Sequence, residues 1–212
     1  MEIAAWGIII QPRERSLRIR NSLFDILRFP FLSGRHFYPL SASMTTNAKT
    51  LIAVDIGNSC MKFGLFRAGE VSKPEKTVSI PHRHDEDFDE ERLEYWLAGA
   101  EKPVAWRIAS VNRPATEMLH HWIEKSRPED ATRHIDCGDL NIEIRYDRPE
   151  WVGIDRLLAA VGALNYCAAD RAAVIVDAGS ALTVDLMTPD RVFQGGAILP
   201  GFDMQAESLA SF

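Results

Sequence analysis

LIAVDIGNSCMKFGLF, Leu51 to Phe66, places an aspartate at the end of an apolar run and follows it at once with Gly57, Asn58 and Ser59. Apolar β-forming residues on both sides of a Gly-Asn-Ser cluster read as two strands around a tight turn, with Lys62 on the strand that leaves it. AVIVDAGSALTVDLM, Ala173 to Met187, has the same layout, with Asp177, Gly179 and Ser180 in the turn. One Asp-x-Gly turn alone is ordinary, because turns prefer these residues. Two matched copies in the same strand context point to an internal duplication, and so to an α/β fold of two similar lobes facing each other across a cleft.

The residues of the turns suggest what such a cleft would hold. Glycine lets the backbone approach a ligand closely and turns N–H groups toward phosphate oxygens, and the flanking hydroxyl and amide side chains add donors. Carboxylates beside phosphate repel it unless a cation stands between them, so Asp55 and Asp177 imply Mg²⁺ or another metal. Lys62 can carry its ammonium back over the phosphates.

Strands and helices alternate through the rest of the chain. VSKPEKTVSI is expected to be an edge strand, where Pro74 is tolerated. Phe88, Leu93, Trp96 and Leu97 recur at helical spacing and predict a helix from Asp87 to Ala98. AWRIASV reads as a strand, Pro114 opens a second helix with Met118, Leu119, Trp122 and Ile123 on its buried side, and ATRHIDC reads as a further strand. IDRLLAAVGALNYCAA is an Ala- and Leu-rich amphipathic helix, and RVFQGGAILPG follows the second turn as its third strand.

Composition bounds the partners. The 212 residues are 46% hydrophobic and 25% charged, as in soluble globular chains, and the net charge of −6 argues against nucleic acid or an anionic membrane held by bulk electrostatics. Cys60, Cys137 and Cys167 form no C-x-x-C pair, so no disulfide framework or zinc site is indicated and a reducing cytoplasm is the expected compartment. Residues 1–43 differ from the remainder: six arginines and no lysine stand against Glu2, Glu14 and Asp25. No apolar run there is long enough to span a membrane, and no small-residue cleavage site follows AAWGIII. With Met44 placed just ahead of the first strand, residues 1–43 are expected to be a disordered or non-native extension, residues 44–152 the first lobe and 153–212 part of the second.

DIGNS followed by Lys62, VGIDRLLAAVGA, VDAGSALTVDL and GGAILPGFDM occur in the order found in type III pantothenate kinases, which the chain resembles from Leu51 to about Leu209. That family belongs to the acetate kinase, sugar kinase, Hsp70 and actin superfamily, so the resemblance implies two ribonuclease H-like (actin-like ATPase) lobes. It also implies ATP-dependent phosphorylation of pantothenate to 4′-phosphopantothenate, the first step of coenzyme A biosynthesis, by a cytoplasmic homodimer that uses ATP, Mg²⁺ and a monovalent cation, K⁺ or NH₄⁺. Asp55, Ile56, Gly57, Asn58, Ser59, Cys60, Met61 and Lys62 then correspond to the ATP-phosphate loop, with Asp55 on Mg²⁺ directly or through water. Ser180 stands where the family has threonine in its second phosphate turn, and Asp177 matches the monovalent-cation ligand. Gly153, Ile154, Asp155 and Arg156 match the Gly-Ala-Asp-Arg substrate motif, with Ile154 replacing alanine, and Tyr146 matches an upstream aromatic that contacts the same substrate.

Asp155 is the general base implied both by the resemblance and by its chemistry, since a primary alcohol attacking a γ-phosphate needs its proton accepted and its oxygen aimed. Without the motif it reads as a favourable residue for a helix start. Arg156 suits the carboxylate of pantothenate or, more plainly, a surface salt bridge. His82, His84, His120, His121 and His134 have no zinc-ligand spacing and are expected on solvated surface. QAESLASF falls where the first helix after the second lobe's third strand is expected, so the second lobe reads as incomplete, without the family's adenine-binding Gly-rich turn. Two alternatives to an active kinase are a catalytically impaired fragment and a non-catalytic regulatory or binding protein of the same fold. A third is another phosphotransferase or phosphohydrolase of the superfamily, against which VGIDR and Tyr146 speak.

Overall fold

The structure, a computed structural model, describes residues 6–10, 18–20, 49–67, 74–82, 88–164, 166–168 and 170–211. In chain order its elements are β1 (Trp6–Ile10), β2 (Arg18–Arg20), β3 (Thr50–Ile56), β4 (Cys60–Arg67), β5 (Lys76–Pro81), α1 (Glu90–Leu97), β6 (Val104–Ser110), α2 (Arg113–Ser126), β7 (Ala131–His134), β8 (Glu143–Ile144), α3 (Ile154–Ala163), β9 (Ala173–Ala178), β10 (Ala181–Met187), β11 (Val192–Pro200) and α4 (Phe202–Ala210). The chain divides into two compact units, Pro30–Asp139 and Leu140–Phe212 with Met1–Phe29. The boundary falls between Asp139 and Leu140, whereas the sequence reading set it after Val152. The difference comes from β8, which pairs with β11 and so belongs with the C-terminal strands.

The Pro30–Asp139 unit is built on a five-stranded sheet of order β5-β4-β3-β6-β7. β3, β4 and β5 are an antiparallel meander, while β6 and β7 join parallel to β3, as a crossover through a helix requires. Strand alternation puts Ile52, Val54 and Ile56 of β3, Met61, Phe63 and Leu65 of β4, and Trp106 and Ile108 of β6 on one face. Leu93, Trp96 and Leu97 of α1 and Ala115, Leu119, Trp122 and Ile123 of α2 close over that face. Both helices begin as their sequences specify. The Asp89 carboxylate accepts the Arg92 N–H at 2.9 Å, and the Asn112 side chain accepts the Ala115 N–H at 3.0 Å with Pro114 in the first turn.

The far end of α2 is fixed by one buried carboxylate. Asp130 accepts the Val104 N–H at 2.8 Å and the Trp106 Nε1–H at 3.0 Å, and it pairs with the Arg127 guanidinium. Its side chain is wholly buried, so the ion pair and hydrogen bonds together satisfy a charge that would otherwise be costly.

The second unit has a sheet of order β2-β1-β9-β10-β11-β8. β9, β10 and β11 repeat the antiparallel meander of the first unit, including its Asp-x-Gly turn between the first two strands. Leu157, Ala160, Val161 and Ala163 bury one side of α3 against β9 and β10. The two sheets differ beside the first strand of the meander. Parallel β6 lies next to β3, but antiparallel β1 lies next to β9, with Trp6 opposite Ala178 and Ile10 opposite Val174. Trp6–Ile10 and Arg18–Arg20 lie within residues 1–43, the segment that the sequence reading expects to be a disordered or non-native extension. An unpaired strand edge offers a row of N–H and C=O groups, and these backbones supply partners for them. The remainder of that segment lies outside the described residues.

Ile198 and Leu199 of β11 and Phe202, Met204 and Leu209 of α4 are exposed. No described helix is long and apolar enough to cross a membrane.

Candidate active site

In the first unit the Asp-x-Gly turn is a two-residue hairpin loop. Asp55, the penultimate residue of β3, lies directly opposite Lys62 of β4, and the Gly57 N–H donates to the Cys60 carbonyl at 3.0 Å. The loop residues Asn58 and Ser59 are exposed, whereas Asp55 is buried, its side chain 12% exposed. Lys62 Nζ stands 3.8 Å from Asp55 Oδ2. Cys60 Sγ is 2.8 Å from Ser79 Oγ. Ile56 and Met61 turn their side chains fully into the core, so only their backbone could meet a ligand at this turn.

His82 follows β5 and is buried, which corrects the expectation that it lies on solvated surface. Its ring is held by the turn: Nε2 donates to the Gly57 carbonyl at 2.9 Å and the backbone N–H to the Ser59 carbonyl at 3.2 Å. His120 and His134 instead form a stacked pair with ring centroids 4.8 Å apart. Burial and the neighbouring His120 push the pKa of His134 down. His84 lies outside the described residues. Among the described residues no three His, Cys, Asp or Glu side chains gather as a metal centre.

In the second unit, Asp177, the penultimate residue of β9, lies opposite Thr183, and the turn is one residue tighter, with the Gly179 N–H donating to the Ala181 carbonyl at 2.9 Å. Ser180 is exposed at its tip. Gly153 caps the start of α3, and its carbonyl accepts the Arg156 and Leu157 N–H groups. Asp155 lies in the first helical turn and accepts the Arg156 N–H at 2.8 Å. Burial pushes its pKa above the usual carboxylate range, against the pull of that hydrogen bond and of the Arg156 charge. The Arg156 guanidinium forks onto Asp185 of β10, with Nε 3.1 Å from Oδ2 and an Nη2–Oδ1 pair beside it, and lies over the Phe193 ring at 5.8 Å. Asp185 is buried, so this is a fixed bidentate pair rather than a surface salt bridge. Ile154 faces the core.

Tyr146 leans over Phe193, with ring centroids 6.5 Å apart, and is 44% exposed. Its hydroxyl occupies the space over Gly195, where a Cβ would collide with it, and Gly195 has φ +76°. Gly195→Ala should therefore strain the backbone and displace Tyr146, costing about 1–3 kcal/mol. Denaturant unfolding would measure the loss and near-ultraviolet circular dichroism the moved ring. Gly201, ahead of α4, is equally constrained: a Cβ would strike the Gly179 and Ser180 carbonyls. Gly57 and Gly179 are not constrained in this way. A Cβ at Gly57 would lie 3.5 Å from the Cys60 carbonyl and one at Gly179 3.8 Å from the Ala181 carbonyl, and neither residue has a positive φ.

Residues 51–212 match the family model of type III pantothenate kinase. This chain belongs to the type III pantothenate kinase family. Among curated relatives, the type III pantothenate kinase of Rhodopirellula baltica is 33% identical over 179 residues, covering 76% of this chain and 65% of its own length. That of Thermus thermophilus is 32% identical over 161 residues, covering 76% of this chain and 64% of its own length, and that of Akkermansia muciniphila is 34% identical over 161 residues, covering 76% and 61%. The chain thus spans less than two thirds of the length of these relatives. Its mixed α/β architecture with two sheets agrees with the actin-like ATPase fold expected of type III pantothenate kinases.

Within each unit the expected residues are brought together. Asp55, Gly57, Asn58, Ser59, Cys60 and Lys62 form one turn of the first unit. Gly153, Asp155, Arg156 and Tyr146 of the second unit are linked through Asp185 and Phe193, and Asp177 and Ser180 share the second turn. Sequence reasoning missed His82 and Asp185. A signal existed for Asp185, because VDLM puts a carboxylate in an apolar strand where only a paired charge is stable when buried.

Proposed function

We propose that this chain binds the phosphates of ATP at its first Asp-x-Gly turn and phosphorylates pantothenate, with Asp155 as the general base. The observation that carries the reading is Asp155 itself: a carboxyl raised by burial, at the start of a helix whose next residue is locked by a bidentate pair. A base of raised pKa accepts a proton more readily than an ordinary carboxylate. The pantothenate hydroxyl oxygen would bond to the γ-phosphorus, the bond to the β,γ-bridging oxygen would break to release ADP, and the hydroxyl proton would pass to Asp155. Arg156, committed to Asp185, is assigned the orientation of the helix start and of Asp155. Tyr146, half exposed above Gly195, is assigned a face of the pantoyl portion.

The residues also fit the ions that the family implies. Mg²⁺ binds through one or two carboxylates together with substrate phosphates, and Asp55, near the end of β3 and close to the exposed Asn58-Ser59 loop, offers such an oxygen. When bound, Mg²⁺ supplies positive charge against the phosphates. Asp177, at the equivalent place in the second turn, is assigned K⁺ or NH₄⁺. We further assign the protein to the cytoplasm as a homodimer.

The test is the reaction itself. The chain with pantothenate, ATP, Mg²⁺ and K⁺ should yield 4′-phosphopantothenate and ADP, measured by mass spectrometry. ATP turnover that does not require pantothenate, with no phosphopantothenate formed, would overturn the assignment.

A further inference from the structure

We infer that His82 is a positioning residue for the phosphate turn, aiming two of its backbone N–H groups through the peptide planes it holds. The inference rests on the first turn being the ATP-phosphate loop.

A trans peptide is planar, with its C=O and N–H directed oppositely. A bond that fixes the Gly57 carbonyl therefore fixes the direction of the Asn58 N–H, which shares its peptide plane. His82 Nε2 makes that bond at 2.9 Å. Likewise the His82 backbone N–H, 3.2 Å from the Ser59 carbonyl, sets the direction of the Cys60 N–H. One residue thus holds both peptide planes that flank the exposed Asn58-Ser59 tip. The register explains why it is this residue. Cys60 pairs with Pro81, so the next position on the β5 side stands opposite Ser59, where Pro81 itself could donate nothing. Burial of the ring excludes water that would compete for the Gly57 carbonyl. Because a carbonyl only accepts, Nε2 must carry the proton. Donors held in place before the ligand arrives bind phosphate without first having to be ordered, so losing the ring bond should weaken ATP binding rather than the fold.

The experiment compares His82→Leu, which removes the donor at similar bulk, with His82→Gln, whose side-chain amide reaches a comparable distance. In the full chain, His82→Leu is expected to weaken ATP binding about tenfold by calorimetry and to speed amide exchange at Asn58, with His82→Gln restoring both to within about threefold of the parent. In the kinase assay the change should fall on KM for ATP and not on KM for pantothenate. In the parent, ¹⁵N chemical shifts should show the His82 Nε2–H form. Unchanged ATP binding in His82→Leu, a glutamine variant no better than leucine, or an Nδ1–H imidazole with bare Nε2 would each overturn the inference. If His82→Leu does not fold, the parent's imidazole shifts and the glutamine variant's ATP affinity still decide it. A parent that binds no ATP would instead refute the reading of the turn, while amide exchange and imidazole shifts would still test the clamp.

Discussion

Asp155→Asn is expected to lower turnover by on the order of 100-fold or more while ATP binds as in the parent. The substitution keeps the shape and the hydrogen bond to the Arg156 N–H but cannot accept a proton from the substrate. The same change should leave stability at neutral pH unchanged or slightly improved, and the sign follows from the pKa. Burial raises the folded pKa of Asp155 above its unfolded value, so the folded state holds the proton more tightly. The stabilisation from that proton is complete below the unfolded pKa and is lost as pH rises through the folded one. Above the folded pKa the ionised carboxylate therefore costs folding free energy, and an amide removes the cost. A residue kept only for its interaction with the helix N-terminus would behave oppositely, because losing the charge would lose the dipole term. Thermal unfolding and turnover measured on one preparation separate the cases: an Asn variant that is less stable and fully active returns Asp155 to a purely helical role. In the parent, activity should also fall on the acid side at a pH above the usual carboxylate range.

What the sequence disclosed depended on how local the cause was. Both Asp-x-Gly hairpins were legible because a glycine turn between apolar strands is a property of a dozen neighbouring residues, and the structure forms both. α2 was equally legible, since Pro114 in its first turn and the spacing of Leu119, Trp122 and Ile123 are written within one segment. His82 was not, because its burial follows from the register of β5 on β4, which puts the residue after Pro81 against the turn. PHRHDED, read alone, is a polar loop. Arg156 was read as reaching for a substrate carboxylate because its partner Asp185 lies on another element and no local pattern joins them. The pairing of β1 with β9 is of the same kind: nothing near WGIII names the strand it joins. Those placements needed tertiary contacts between distant segments.

Gly57→Ala and Gly179→Ala are expected to fold as well as the parent, and the Gly57 variant to lose ATP affinity by on the order of tenfold to a hundredfold. Four of the glycines in and beside these turns and strands divide by what surrounds them. At Gly195 and Gly201 the protein already fills the space a methyl group would take, so folding requires glycine there. At Gly57 and Gly179 an added Cβ would meet only ordinary contacts, 3.5 Å and 3.8 Å away, on a backbone that other residues adopt. Alanine at such a position restricts the unfolded chain and is neutral or stabilising by about 0.4–1 kcal/mol. Among the described residues nothing explains why these two positions lack a side chain, whereas a phosphate brought against the turn N–H groups does, because a methyl group would hold it off. Gly201→Ala serves as the contrast, since it should destabilise by about 1–3 kcal/mol through its clash with the Gly179 and Ser180 carbonyls. Thermal unfolding and ATP titration of the three variants would read both effects. If Gly57→Ala bound ATP as tightly as the parent, the first turn would not touch the phosphates, and the proposed binding mode would have to be moved elsewhere in the chain.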